Sequence, residues 1–139
     1  MRLQKILLFS GPQKPVPAHA HYSLVAGVSL SGTRVLCIEN RVYNLTPGTF
    51  YIVPPQTIHR LSAAGADYRA VTVVVSAPQK LKPQTLPCVS PYYETLGAVL
   101  ANAVQNGNFA IFMTTLAKIL ASVPRAGLSA TARLTRARN

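Results

Sequence analysis

Short apolar segments separated by turn residues fill the first 76 residues of this chain, and they constrain its fold more than any other feature. Seven of them predict strands, at residues 3–9, 22–30, 33–38, 41–45, 49–53, 58–62 and 68–75. A spacing of about 8 to 12 residues is typical of antiparallel sandwiches and barrels. The last segment, Y-R-A-V-T-V-V-V, is rich in β-branched residues, which favour strands. The sequence therefore predicts a small, jelly-roll-like antiparallel β-barrel over residues 1–78.

The pattern changes after this predicted barrel. Residues 79–89 contain two prolines and no periodicity, which predicts a proline-rich linker. Residues 90–124 predict a helical hairpin, in which Ser90 and Pro91 suit the start of the first helix and Gly107 suits its end. Residues 125–139 contain four arginines and predict a basic tail that frays into solvent.

The predicted hairpin contains very little charge. From Pro91 to Pro124 the formally charged residues are Glu94 and Lys118. A helix without a charged face is usually covered on more than one side. One side can rest on the barrel, and we expect the other to form a homodimer through residues 90–124. The alternative is that Asn, Gln, Thr and Ser side chains suffice to solvate the outer face.

The charge balance excludes one class of enzyme and suggests a class of partner. The chain has 14 basic and 3 acidic residues, for a net charge of +11. The acids are isolated from one another, at Glu39, Asp67 and Glu94, so catalysis by paired carboxylates lacks its raw material. The positive balance suggests an anionic partner. No recognised nucleic-acid-binding motif accompanies it, so we do not expect direct DNA binding.

Two other features concern the compartment. Cys37 and Cys88 lie far apart and neither belongs to a C-x-x-C motif, which favours a reducing environment. No stretch approaches the roughly 20 apolar residues of a membrane span. We therefore expect a cytoplasmic protein without a membrane partner.

Three histidines bracket the middle of the predicted barrel. His19 and His21 are two residues apart, so their side chains share a face in an extended strand. A barrel could bring His59 to meet them. Three neutral imidazoles can hold Zn²⁺, Fe²⁺ or Ni²⁺, with water filling the other positions. The other interpretation is that the three side chains line a ligand pocket without any metal.

Residues 17–62 resemble the cupin barrel at the N-terminus of AraC-type transcription regulators. The resemblance rests on P-A-H-A-H-Y, on the strand that leads into S-L-S-G, and on R-V-Y-N-L-T-P-G followed by Y-I-V-P-P-Q-T-I-H. Two helices follow the barrel in that family as well, where they make the dimer contact. The resemblance extends over most of residues 1–124, and it implies an effector-binding and dimerisation module.

The chain departs from this family in two ways. The regulators continue for about a hundred residues that form two helix-turn-helix units, whereas this sequence ends at Asn139. We expect either an excised sensor domain or a stand-alone relative. Metal-binding cupins also usually carry a glutamate shortly after the histidine pair, where this chain has residues 24–27, L-V-A-G. This difference favours a pocket wall, and no cofactor, over a metal site.

Two hypotheses about function follow from the sequence. The leading one is a binding module for a small-molecule effector, which would be anionic if Arg34 points inward. The alternative is a small metal-dependent dioxygenase or isomerase that uses His19, His21 and His59. Polar residues in and beside the predicted strands are the candidate ligand contacts, and they are His19, His21, Tyr22, Arg34, Tyr43, Tyr51, His59 and Tyr68.

Overall fold

Eight strands and two helices make up the part of the chain that the computed structural model describes, which is residues 2–38, 40–76 and 91–122. The strands are β1 (Arg2–Ser10), β2 (Val16–His19), β3 (Leu24–Ser31), β4 (Arg34–Ile38), β5 (Arg41–Leu45), β6 (Phe50–Val53), β7 (His59–Leu61) and β8 (Arg69–Ser76), and the helices are α1 (Pro91–Gln105) and α2 (Phe109–Ser122). The predicted linker at 79–89 and the basic tail at 125–139 lie outside the described residues.

The strands form two antiparallel sheets of four strands each. Their orders are β1-β8-β3-β6 and β2-β7-β4-β5. This architecture confirms the predicted mainly-β fold with C-terminal helices. No separate strand is predicted at β2, because Pro15 and Pro17 interrupt the pattern there. β2 tolerates Pro17 since it lies at the edge of its sheet and pairs with β7 alone.

The first sheet is covered on both of its faces. Side chains of β3, β6 and β8 pack with those of α1 and α2 in one apolar cluster, which includes Val28, Phe50 and Phe112. A second cluster, which includes Leu36, Leu45 and Val53, lies between the two sheets. Burial on both faces explains why β6 and β8 are almost continuously apolar instead of alternating with polar residues.

Two contacts fix the helices against the first sheet. The ring of Phe112 meets that of Phe50 edge to face, with centroids 5.8 Å apart. Gly97 lies so close to the turn before β6 that a Cβ atom placed on it would overlap the carbonyl oxygen of Gly48. The helices therefore rest directly on the strand that separates them from the barrel interior.

The turn between the helices is as predicted. Gly107 has a φ of 79°, the left-handed conformation that favours glycine at a helix end. Its N–H donates to the carbonyl oxygen of Val104 (3.0 Å), and the N–H of Asn108 donates to that of Ala103 (2.8 Å). This pair of bonds is the Schellman arrangement, which ends α1 at Gln105 and lets α2 begin at Phe109, after three connecting residues.

Candidate functional site

The three histidines lie together at the end of the second sheet. His19 in β2 pairs directly with His59 in β7, and His21 follows shortly after the end of β2. The ring centroids are 4.3 Å apart for His19 and His59, 4.9 Å for His21 and His59, and 5.3 Å for His19 and His21. The convergence expected from the sequence is therefore present, and it results from the register of two short strands.

A backbone carbonyl two residues away orients each imidazole. Nδ1 of His19 lies 2.9 Å from the carbonyl oxygen of Pro17, and Nδ1 of His59 lies 2.8 Å from that of Thr57. Nδ1 of His21 lies 3.2 Å from the carbonyl oxygen of Ser23. A carbonyl oxygen can only accept, so Nδ1 carries the proton in all three rings. The Nε2 lone pair of each neutral ring is then free to bind a metal ion.

The spacing of the rings suits a divalent metal ion. One ring nitrogen from each histidine lies within 4.8 Å of the other two. Nitrogen ligands on a tetrahedral zinc ion are about 3.4 Å apart, so a modest contraction of the cluster completes three of the four positions. With three acidic residues in the whole sequence, few side chains are available to accept a hydrogen bond from the second nitrogen of such ligands. The backbone supplies those acceptors without any acidic residue.

The loop before β7 holds two of the histidines in place. The N–H of Gln56 donates to the carbonyl oxygen of His21 at 2.7 Å. Gln56 itself has a φ of 57°, which is uncommon for a residue other than glycine. The hydroxyl of Thr57 donates to the carbonyl oxygen of Pro55 at 3.3 Å. These bonds tie the segment that carries His21 to the segment that carries His59.

The three imidazoles differ in their exposure to solvent. His19 is exposed, His21 is half-buried and His59 is buried. Burial lowers the pKa of His59 below its ordinary value of 6.5, and the neighbouring rings of His19 and His21 lower it further. The hydrogen bond to Thr57 opposes this shift. At neutral pH His59 is therefore uncharged and would need no proton release to bind a metal ion.

The lowered pKa of His59 predicts that the metal-free protein loses stability in mild acid. The unfolded chain protonates His59 near pH 6.5, whereas the folded chain does so at a lower pH. Between these two values the unfolded state binds more protons, so the free energy of unfolding falls as the pH is lowered through this window. Chemical denaturation between about pH 8 and 5 should show this slope in the wild type and a smaller one in His59→Gln. Equal slopes would contradict the assignment.

A cavity of about 490 Å³ extends from the histidine cluster into the barrel. Its wall is mainly apolar and is formed by residues of both sheets, including β1. The lining residues are Gln4, Lys5, Leu7, Phe9, Val16, His19, His21, Ser23, Val25, Arg34, Leu36, Tyr51, Val53, His59, Leu61, Tyr68, Thr72 and Val74. A cavity of this volume and polarity is typical of a site for one small organic molecule.

A second set of polar residues in the cavity wall lies around Tyr51. Its hydroxyl lies 3.0 Å from the hydroxyl oxygen of Thr72, and its ring lies against Gly27, where a Cβ atom would overlap it. Burial raises the pKa of Tyr51 to about 12, with a further contribution from Tyr68, so the phenol stays protonated at neutral pH. The guanidinium carbon of Arg34 lies 5.6 Å from the ring centroid of Tyr68. Tyr51 is thus a hydrogen-bonding group and not a base.

The structure brings six of the eight candidate ligand residues to the cavity and leaves two outside it. Tyr22 is 85% exposed and does not line the cavity. Tyr43 packs against the cluster between the sheets and does not reach the cavity either. Alternation along a strand left both orientations open for Tyr43. The pairing of β4 with β5 puts it opposite Leu36 on the face between the sheets, but β5 is an edge strand and Tyr43 does not line the cavity. Neither tyrosine belongs to the site that we propose.

Four polar residues of the cavity wall were missed in the sequence, namely Gln4, Lys5, Ser23 and Thr72. Thr72 is buried and is the only hydroxyl residue within the run from Ala70 to Val75, a signal that could have marked it. Val25 faces the cavity from β3, whereas its neighbour Ala26 faces the helices. The wall beside the histidines is therefore apolar. Among the described residues no acidic side chain joins the cluster.

Comparison with known families assigns the barrel. Residues 10–76, which include all three histidines, match the family model of the cupin domain. These residues form a cupin domain. No curated protein matches the chain in sequence. The resemblance of residues 17–62 to AraC-type regulators gains no support from these comparisons beyond the cupin domain itself.

Several solved structures resemble the cupin domain in fold. A cupin superfamily protein from Desulfitobacterium hafniense is 18% identical with a TM-score of 0.45, and the match covers 54% of this chain and 68% of that one. A conserved protein of unknown function from Streptococcus pyogenes is 22% identical with a TM-score of 0.44, and the match covers 51% and 60%. Oxalate decarboxylase from Bacillus subtilis, which has Mn(II) centres, is 14% identical with a TM-score of 0.41, and the match covers 50% and 19%. At these identities the similarity concerns the fold alone.

In the ranges that the structure describes, neither helix is long and apolar enough to cross a membrane.

Proposed function

We propose that the cupin domain holds one divalent metal ion on His19, His21 and His59 and binds a small organic molecule in the adjoining cavity. The observation that carries this proposal is the orientation of the three rings, each of which donates from Nδ1 to a carbonyl oxygen. An imidazole that only lined a pocket would need no such common arrangement. Zn²⁺, Fe²⁺ and Ni²⁺ all accept ligands of this type.

The cavity offers room for a small molecule beside the proposed metal ion. When bound, the ion would supply a Lewis acid that attracts an oxygen or nitrogen atom of the ligand. The chain's own residues do the rest: Leu36, Val53 and Leu61 exclude water along the cavity, and Tyr51 offers a phenol hydroxyl. The isomerase and dioxygenase activities weighed from the sequence are the enzymatic forms of this proposal. We place the protein in the cytoplasm, where the free thiol of Cys37 stays reduced.

Titration with Co²⁺ tests the proposal. Metal-free protein, purified without a histidine tag, should develop visible absorption bands that saturate at one equivalent of Co²⁺, and Zn²⁺ should abolish them. The exposed surface variant Arg60→Gln should behave like the wild type, because Arg60 points away from the cluster. Absorption that rises without saturation, or a variant lacking all three histidines that retains the bands, would refute the metal centre.

A second candidate function is a small-molecule sensor that also dimerises, as the resemblance to AraC-type regulators implies. The observation in its favour is the alternation of β6. Phe50 contacts the helices, while the next residue, Tyr51, contacts the cavity. A ligand that moves Tyr51 could therefore alter the helical surface, provided that it binds one of two arrangements more tightly. In this proposal residues 90–124 join two effector-binding barrels in a homodimer.

Light scattering during gel filtration tests the sensor proposal. We expect a dimer at micromolar concentration, since Val99 and Ile111 are exposed apolar residues on the two helices. Replacing both by Ser should give a monomer with an unchanged metal content. A wild-type protein that is monomeric at that concentration would refute the dimer, without affecting the metal centre.

A further inference from the structure

A buried arginine lies in the cavity wall away from the histidine cluster. The side chain of Arg34 is only 3% exposed. Its Nε donates to the carbonyl oxygen of Ser62 at 2.8 Å, and its Nη2 donates to that of Lys14 at 3.0 Å. These bonds, with a hydrogen bond to the hydroxyl of Tyr68, hold the guanidinium beside the ring of Tyr68 in the cavity wall.

The charge of Arg34 has no counterion among the described residues. Its contacts there are two carbonyl oxygens and the hydroxyl and ring of Tyr68, and none is a carboxylate. Asp67, the acid whose side chain is described, is exposed to solvent. A buried charge is costly unless it is paired, and a guanidinium is never neutralised by losing its proton. A ligand that brings a negative charge to this end of the cavity would remove that cost.

The position of Arg34 on β4 relates it to the histidine cluster. Arg34, Leu36 and Ile38 alternate toward the barrel interior along β4, and Ile38 pairs with His59 across β4 and β7. Four residues of strand span about 13 Å. The side chains of Leu36 and Leu61, which pair with each other, line the cavity between the two ends. The cavity thus has a cationic end, an apolar middle and a histidine end.

We propose that Arg34 binds the carboxylate of an elongated organic acid, whose apolar body lies along Leu36 and Leu61 and whose far end reaches the three histidines. The contact between the far end and the histidines rests on the proposed metal centre. The contact between the carboxylate and Arg34 does not. A carboxylate matches the guanidinium in geometry and carries the single negative charge that one buried cation balances. A phosphate dianion would leave a second negative charge facing apolar walls.

Binding of octanoate to the metal-free protein tests the carboxylate end. We expect wild-type protein to bind octanoate at least about ten-fold more tightly than octanamide, which has the same shape and no charge. Arg34→Gln should lose this preference and Arg34→Lys should reduce it, whereas the matched exposed variant Arg60→Gln should keep it. Equal affinity of the wild type for the two compounds, or no binding of octanoate, would overturn the proposal.

The wild-type comparison stands even if the Arg34 variants fold poorly, since it compares two probes on one protein. Adding Zn²⁺ then separates this proposal from the metal centre. Sebacate, a dicarboxylate of about the required length, should gain affinity in zinc-loaded protein, while octanoate should not. A charge preference in the metal-free protein with no zinc-dependent gain for sebacate would overturn the far-end contact and leave the role of Arg34 intact. The reverse result would overturn the role of Arg34 alone.

Discussion

Replacing His19 by alanine should weaken metal binding by at least about 100-fold while leaving the metal-free protein as stable as the wild type, to within about 0.5 kcal/mol. The reason is that His19 belongs to the cluster and is nevertheless exposed to solvent. Its ring centroid lies 4.3 Å from that of His59, and its removal leaves no enclosed cavity. Calorimetric titration with Zn²⁺ and urea denaturation of the metal-free protein measure the two effects separately.

A matched control comes from the residue next to His59. Ile58 is 61% exposed, so Ile58→Ala should change neither the metal affinity nor the stability. His59→Ala should weaken metal binding as much as His19→Ala does, but it should also lower the stability because His59 is buried. If His19→Ala binds Zn²⁺ like the wild type, then the exposed ring is not a ligand and the three-histidine centre is wrong.

Replacing Phe112 by alanine should lower the free energy of unfolding by about 3 to 5 kcal/mol. Phe112 is fully buried, and its ring meets Phe50 of β6 edge to face in the cluster that joins the helices to the first sheet. The substitution removes buried apolar surface and an aromatic pair, and it leaves a cavity in the cluster. Urea denaturation followed by circular dichroism measures the loss.

The control for Phe112 is its neighbour on the same helix. Ile111 is partly exposed, so Ile111→Ala should cost less than about 1 kcal/mol. The folded fraction of Phe112→Ala should still bind one metal ion, since the histidines lie in the second sheet and Phe112 packs on the outer face of the first. A loss below about 1 kcal/mol for Phe112→Ala would show that the helices do not depend on the barrel for their stability.

The strands and helices were predictable because local patterns decide them. The β-branched run of β8, the turn residues before β6 and the proline and glycine that bound α1 act within a few positions of sequence. β2 was not predictable as a strand. Its existence depends on β7, which is distant in sequence and offers the edge at which a proline-containing segment can pair.

The three histidines of the candidate site were predictable from the sequence, but the hydrogen bonds that orient them were not. The spacing of His19 and His21 placed both rings on one face, and the register of β2 with β7 then brought His59 beside them. The carbonyl acceptors of Pro17, Ser23 and Thr57 leave no trace in the sequence, because every residue has a carbonyl group. The scarcity of acidic residues in the sequence is therefore no argument against acceptors for the three rings.

The orientation of the polar strand residues was the other unpredictable feature. Arg34 and Tyr43 both lie in strands of the second sheet, and alternation alone permits either to face the cavity. Long-range pairing puts both on the inner face of their sheet, but Tyr43 lies on the edge strand β5 and does not line the cavity. The same kind of long-range information explains Gly27, whose missing side chain makes room for the ring of Tyr51.

Elemental analysis tests the central claim most directly. The wild-type chain should be purified without a histidine tag, exposed to equimolar Zn²⁺, Fe²⁺ or Ni²⁺ under suitable redox conditions, and freed of unbound metal by gel filtration. The three-histidine centre predicts close to one metal ion per chain for at least one of these metals, and almost none after His19, His21 and His59 are all replaced by alanine. Less than about a tenth of an equivalent in the wild type for all three metals, or equal amounts in both proteins, would contradict it.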